Sequence, residues 1–315
     1  MTELATKPIA AWSRLPAAYA IPACAPTLAE AREYCARLAR SHYENFSVAS
    51  WFLPRHLRQH FFNVYAYCRI SDDLGDEVGD PTASLQLLDQ WQTELDACYD
   101  GAPKHAVFVA LAETVRTFDI PKNEFSDLLI AFRQDQSVTR FETFDDLLHY
   151  CHYSANPVGH LVLYLCGYRD PERQRLSDFT CTALQLANFW QDVTDDYAKG
   201  RIYLPLEDLR CFGVCEDDIA QARNTPAFRT LMKFQVERAK DWFRQGLPLI
   251  SQVDRELAVD LDLFSRGGQE ILSAIVKQDY AVLGNRPSIS KSRKLALVMH
   301  AALGKLFGGS KREVK

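Results

Sequence analysis

The chain is short of helix breakers, of excess basic charge and of long apolar runs. Glycine and proline number 14 each in 315 residues. That excludes collagen-like and linker-rich designs and leaves few turn residues for an all-β chain of this length. Thirty-six basic residues stand against 41 acidic ones, a net charge of −5. A nucleic-acid binder usually carries a basic excess, so no nucleic-acid partner is expected. Apolar runs such as Leu161–Cys166 are far shorter than the roughly 20 residues that span a bilayer. Lys7, Arg14 and four prolines interrupt residues 7–26, where a secretory signal would need an unbroken apolar stretch. Walker loop, nucleophile elbow and His/Glu zincin patterns do not occur.

Cysteine is well supplied: nine residues, an odd number, without regular spacing. The closest pair, Cys211 and Cys215, has no second pair to complete a zinc site. The expectation is buried free thiols in a reducing cytoplasm. His149, Cys151, His152 and His160 are irregularly spaced in an apolar helical context, so they read as core or pocket residues and not as metal ligands.

Helical periodicity runs through most of the chain. Thr27 with Glu30 makes a capping-box pattern ahead of a stripe of Leu28, Ala31, Tyr34, Cys35 and Leu38. A second helix is expected from just after Pro54 to about Gly75, followed by helices over 83–99, 105–118 and 122–136. Thr143 with Asp146 opens another, which Asn156-Pro157 should break because proline removes a ladder bond. A long helix is expected from Pro171 to roughly Lys199, closed by a left-handed Gly200, then helices over 226–250, 255–283 and 291–307. Hardly any segment alternates with period two. The expected fold is all-α, a single-domain helical bundle over 28–307, with a poorly ordered leader at 1–27 and a basic tail at 308–315.

Two of these helices end in acidic clusters: Arg69-Ile-Ser-Asp72-Asp73-Leu-Gly-Asp76-Glu77, and Gln185-Leu-Ala-Asn188-Phe-Trp-Gln-Asp192-Val-Thr-Asp195-Asp196. Asp72 and Asp76 are four residues apart, as are Asp192 and Asp196, so each pair projects from one helix face. Like charges at that spacing oppose the helix, and so does the macrodipole at a C-terminal end. The cost calls for a counter-charge. Magnesium meets it, taking one or two carboxylates together with substrate phosphates, and manganese is an alternative. Asn188, one turn before Asp192, adds a neutral oxygen. Two carboxylate pairs of this kind would grip a diphosphate and stabilise it as a leaving group.

With these residues in place, the sequence resembles the squalene/phytoene synthase family of head-to-head prenyl transferases, over roughly residues 28–300. The likeness rests on Tyr65-Ala66-Tyr67-Cys68-Arg69 leading into Asp72-Asp73-Leu-Gly-Asp76, and on Gln185-Leu-Ala-Asn188 through Asp196 into Gly200-Arg201-Ile202-Tyr203-Leu204-Pro205. It implies an isoprenoid synthase-type helical fold around a central apolar pocket and divalent-metal ionisation of an isoprenoid diphosphate. It further implies that Asp72, Asp76, Asn188, Asp192 and Asp196 are metal and diphosphate ligands. Arg69 would contact diphosphate, and Tyr65 and Gln185 would line the reacting centre.

Three departures from the family pattern matter. Where members that condense two prenyl diphosphates commonly carry His-Ser-Lys-Ser-Phe, this chain has His42-Tyr43-Glu44-Asn45-Phe46-Ser47, with Glu44 in place of a cation. Ser154-Ala155-Asn156-Pro157-Val158-Gly159 replaces an Ala-Gly-Thr-Val-Gly run, and Gly268 stands where a tyrosine is often found. The combination resembles the hydroxysqualene synthase subgroup of the bacterial hopanoid pathway. The implied reaction takes presqualene diphosphate to hydroxysqualene by water capture. It needs no reductant, and no G-x-G-x-x-G is present, so NADPH is not expected. Asn45, Asn156 and Gln185 are candidates to position the water; His42, Phe46, Ser47, Arg201, Tyr203, Tyr280 and Arg286 are candidates to bind substrate. Two alternatives stand beside this one: condensation to presqualene diphosphate, squalene or phytoene, and a silent member serving as a lipid-binding or assembly factor. Residues 291–315 hold seven basic residues and one acidic one, which suits peripheral attachment to an anionic membrane from the cytoplasmic side.

Overall fold

A computed structural model describes residues 12, 15–41, 55–290, 292, 293, 296, 297 and 299. Among the described residues the structure is helical, with one isolated bridge between Arg140 and Ile202 in place of a sheet. It packs as two compact units, one built from described residues up to 138 and the other from 139 onward.

The first unit holds α1 (Leu28–Ser41), α2 (Arg58–Asp76), α3 (Pro81–Asp100), α4 (Ala106–Phe118) and α5 (Asn123–Gln134). α2 packs against all four others and is apolar around most of its girth, burying Phe61, Phe62, Val64, Ala66, Tyr67, Ile70 and Leu74. Tyr67 is fully buried, edge-on to Phe108 and Phe125, and its hydroxyl donates to Phe125 O at 2.8 Å. Buried polar side chains of this core helix bond to neighbouring helices. Asn63 Nδ2 donates to Ala110 O and Thr114 Oγ1, and Trp91 Nε1 donates to Ser71 Oγ.

Local chemistry sets the helix ends. Glu30 accepts from Thr27 N at 2.8 Å and the Thr27 hydroxyl accepts from Glu30 N, the expected capping box. α3 starts two residues before the expected 83, because Asp80 caps it and Pro81 fills its first position. Part of the stretch expected to be a loose leader is packed. Trp12, Leu15 and Tyr19 are buried, and Ala17–Tyr19 form a 3-10 turn.

The second unit contains α6 (Phe144–Ser154), α7 (Asn156–Leu165), α8 (Pro171–Gln191), α9 (Val193–Ala198), α10 (Leu206–Phe212), α11 (Glu216–Ala220), α12 (Pro226–Gly246), a 3-10 turn (Leu247–Ser251) and α13 (Arg255–Lys277). α8 is its axis, touching α6, α7, α9, α12 and α13. Thr143 and Asp146 cap α6 reciprocally, and Asn156-Pro157 separates α6 from α7 as expected.

Three expectations are corrected here. The helix from Pro171 is interrupted at Asp192 (φ −104°, ψ 14°), although Asp196 N still donates to Asp192 O at 2.8 Å. α13 stops at Lys277, not 283, because Asp279 and Tyr280 both turn left-handed and the Tyr280 N–H bonds back to Ile275 O. The short helices α10 and α11 had no periodic signature. Cys24, Cys211 and Cys215 are exposed thiols, not buried ones, since they lie in surface turns or short helices.

Gly268, on α13, is a point of close approach. A Cβ there would lie 2.4 Å from Phe243 Cζ and 2.8 Å from Leu184 Cδ2. The bare backbone therefore lets α12 and α8 close on α13. Residues 292, 293, 296, 297 and 299 are helical; the rest of 291–315 lies outside the described residues. No helix among the described residues is long and apolar enough to cross a membrane.

Candidate active site

The final three turns of α2 carry Tyr65, Arg69, Asp72 and Asp76 at offsets of 0, 4, 7 and 11, a single stripe on a 3.6-residue helix. Tyr65 is half-buried, which pushes its hydroxyl pKa up. Asp72 is half-exposed and Asp76 exposed. Between them Asp73 is buried. It takes the Arg69 guanidinium as a fork, Nε to Oδ2 at 3.1 Å and Nη2 to Oδ1, while Arg69 Nη1 stands 3.5 Å from Asp72 Oδ2. Burial works against the Arg69 charge, and the neighbouring Asp73 and Asp72 outweigh it, holding its pKa above the ordinary value. Asp73, the partner of Arg69, was not among the expected site residues. Its Arg-x-x-x-Asp spacing was the available signal, an opposite-charge pair one helical turn apart.

The second unit repeats the pattern. Gln185, Asn188, Asp192 and Asp196 follow at offsets of 0, 3, 7 and 11 on α8 and α9. Gln185 is half-buried and Asn188 exposed. Burial, and then the Asp192 charge, push the Asp196 carboxyl up to about 7; Lys199 and Arg201 pull against that shift. Arg201 N also donates to Asp196 O at 2.8 Å. Arg286 reaches Asp192 through Nε and Nη2, the latter 3.1 Å from Oδ2, and lies 3.5 Å from Asp195 Oδ2. Thr194 Oγ1 accepts from Gly284 N, and Gln191 Nε2 donates to Pro287 O. The 284–287 segment is therefore fastened along the Asp192 turn.

The remaining expected site residues divide. Asn156 is buried at the start of α7, and its Oδ1 accepts from Thr182 Oγ1 of α8 at 3.1 Å. Tyr280 is half-buried in the left-handed turn after α13. Tyr203, expected at the diphosphate, is instead buried in an aromatic stack. Its ring lies 3.8 Å from Phe189, nearly parallel, with Phe141 and Tyr150 beside it, so its side chain packs the segment after Gly200. His42, Asn45, Phe46 and Ser47 lie outside the described residues. His160 is half-buried and pairs with Asp178 at 2.8 Å, and Cys151 is buried, but His149 and His152 are exposed beside Tyr153, so these two are surface residues and not the core or pocket residues expected.

The donor set suits a hard divalent cation. The carboxylates of Asp72, Asp76, Asp192 and Asp196 and the amide oxygen of Asn188 are hard oxygen donors. Among the described residues no three His, Cys, Asp or Glu side chains converge on one point.

The model of the squalene/phytoene synthase family matches residues 39–293. A crystal structure of the squalene synthase HpnC from Alicyclobacillus acidocaldarius is 46% identical, with a TM-score of 0.77 over 86% of this chain and 98% of that one. A dehydrosqualene synthase solved with a ligand is 27% identical, TM-score 0.79, over 87% of this chain and 96% of its own. The 15-cis-phytoene synthase of Synechocystis is 30% identical over 278 residues, 84% of this chain and 82% of that protein. With an all-α fold, two aspartate stripes at helix ends and a family match across most of its length, this chain belongs to the squalene/phytoene synthase family and is an enzyme of prenyl diphosphate chemistry.

Proposed function

We propose that this enzyme converts presqualene diphosphate to hydroxysqualene with magnesium. The observation that carries the reading is the pair of like-patterned stripes, each with an arginine on an aspartate at its end. In the proposed reaction the C–O bond to diphosphate breaks heterolytically and the electron pair leaves with the diphosphate. The cyclopropylcarbinyl cation rearranges, water oxygen forms the new C–O bond, and the proton released passes to solvent. Asp72 and Asp76 on the one stripe and Asn188, Asp192 and Asp196 on the other would hold divalent ions, which when bound would supply positive charge to the leaving diphosphate. Arg69 adds a fixed cation there, and Arg201, Arg286 and Tyr280 are assigned to the same leaving group. Tyr65 offers an aromatic face to the cation. Asn156, held by Thr182, orients the water together with Gln185 and Asn45.

Two sequence features support presqualene diphosphate as substrate. Glu44 stands where a cation would help bind a second diphosphate. Gly268 is enclosed by Phe243 and Leu184, so the tyrosine common at this position has no space. A second reading, head-to-head condensation of two prenyl diphosphates, is favoured by the names of the relatives, squalene, dehydrosqualene and phytoene synthases. Supplying presqualene diphosphate and farnesyl diphosphate separately, with magnesium and with or without NADPH, decides between them. Hydroxysqualene from the first substrate alone, with no need for NADPH, is expected; turnover of farnesyl diphosphate alone overturns the assignment.

We further propose that the basic segment 291–315 holds the enzyme on an anionic membrane face. Arg293 pairs with Glu270 on α13 at 2.6 Å, and the segment's other six basic residues, which lie outside the described residues, are assigned to the contact. Liposome flotation of the chain truncated after Leu297 should lose binding relative to the full chain; unchanged binding removes the anchor.

A further inference from the structure

Tyr19 lies outside the span that matches the family, residues 39–293, yet it is bonded to the acidic end of α2. It is 4% exposed, and its hydroxyl donates to Asp73 Oδ2 at 2.6 Å. The same oxygen accepts from Arg69 Nε at 3.1 Å. Two donors, one from 54 positions away and one from the adjacent helical turn, thus share one carboxylate oxygen. Arg69 has a competing partner in Asp72, 3.5 Å from Nη1.

The turn that delivers Tyr19 is anchored on three sides. Ala18 O accepts from Tyr34 Oη of α1 at 2.8 Å and faces His105 Nε2, at the head of α4, at 3.4 Å. Trp12 Nε1 donates to Gln90 Oε1 of α3 at 2.8 Å. Tyr19 N closes the turn on Pro16 O at 2.8 Å. A hydroxyl carried on so fixed a base restricts the plane of the Asp73 carboxylate. A bidentate fork follows the plane of its acceptor, so the orientation of the guanidinium is restricted as well.

We infer that Tyr19 is a positioning residue for the diphosphate-binding arginine: through Asp73 it fixes the direction in which Arg69 presents its free edge beside Asp72. The inference rests on the proposed contact between Arg69 and diphosphate. Without the Tyr19 hydroxyl, Asp73 can turn about its side-chain torsions, and Arg69 can swing toward Asp72, drawing on a carboxylate assigned to the metal. A tyrosine that merely fills space would contribute through its ring, which a phenylalanine retains.

The test is a double-mutant cycle read by calorimetric titration of inorganic diphosphate with magnesium into the full-length protein, which needs no knowledge of the substrate. Tyr19→Phe is expected to weaken diphosphate binding about 3- to 10-fold with little change in melting temperature. Arg69→Gln should weaken it further, and Tyr19→Phe should add nothing in the Arg69→Gln background, because the two residues act as one unit. If Tyr19→Phe binds diphosphate like the wild type while Arg69→Gln does not, the inference is wrong. Independent, multiplying losses also overturn it, since they assign Tyr19 a separate structural role. If Arg69→Gln itself leaves binding unchanged, the contact beneath the inference has failed and the inference goes with it. Should Tyr19→Phe melt early, Asp73→Asn repeats the cycle from the other side of the bond, with the same expected non-additivity against Arg69→Gln.

Discussion

His105 gives the first unit a built-in sensitivity to acid. The ring is 1% exposed, packed edge-on against Trp91 at 4.9 Å and Tyr34 at 5.6 Å. It caps α4: Val107 N–H points at Nδ1 at 3.2 Å, so Nδ1 must be an unprotonated acceptor and the ring proton sits on Nε2. A second proton would face an N–H and the positive end of the helix dipole, and burial alone already drives the pKa from 6.5 down to about 4. The unfolded chain therefore takes the proton first. The stability that His105 contributes is complete above about pH 6.5 and is lost as pH falls toward 4, amounting to about 3 kcal/mol across that window.

Asparagine at 105 keeps a capping oxygen and does not titrate. Urea unfolding of the wild type and of His105→Asn, followed by tryptophan fluorescence between pH 7.5 and 4.5, isolates the effect because carboxylate titration cancels in the difference. The wild type should lose about 2–3 kcal/mol more than the variant, a midpoint shift of roughly 1 M urea. Parallel pH profiles for the two proteins would refute the buried neutral imidazole.

Asp72→Ala and Asp192→Ala should each lower turnover by about 10²- to 10³-fold, while circular dichroism stays unchanged because both side chains sit at helix ends with solvent access; near-wild-type turnover in either would remove that stripe from the chemistry. Gly268→Ala sets a helix-propensity gain of up to about 1 kcal/mol against an overpacking cost of about 1–3 kcal/mol from Phe243 and Leu184. Net destabilisation of up to about 2 kcal/mol is expected by chemical denaturation, and a clear gain in stability would mean that the ring gives way.

Features of the fold that depend on neighbours three or four positions away were legible in the sequence. Thr27 with Glu30, Thr143 with Asp146, and the proline after Asn156 each specify a boundary through chemistry within one turn. Both aspartate stripes were legible for the same reason, because helical period turns spacing into a shared face. The turn at Asp192 was not: hydrogen bonds from Asp192 N to Asn188 O and from Asp196 N to Asp192 O survive on both sides of it, so the residue pattern is that of an unbroken helix. The end of α13 depends on left-handed Asp279 and Tyr280, neither of them glycine, anchored by Arg229 to the Asp279 carbonyl and carboxylate. Tyr203 and Tyr19 look alike as sequence, each an aromatic in an irregular segment. Only the packing of distant residues distinguishes the buried stacker from the residue bonded to Asp73.

Oxygen provenance tests water capture most directly. The enzyme is incubated with presqualene diphosphate and magnesium in water enriched in oxygen-18, without NADPH, and the product is analysed by mass spectrometry. Hydroxysqualene carrying one heavy oxygen is the expected result, because ionisation removes the substrate's own oxygen with the diphosphate and solvent supplies the new one. An alcohol that retains the substrate's oxygen, or a hydrocarbon product with no oxygen at all, would contradict the account.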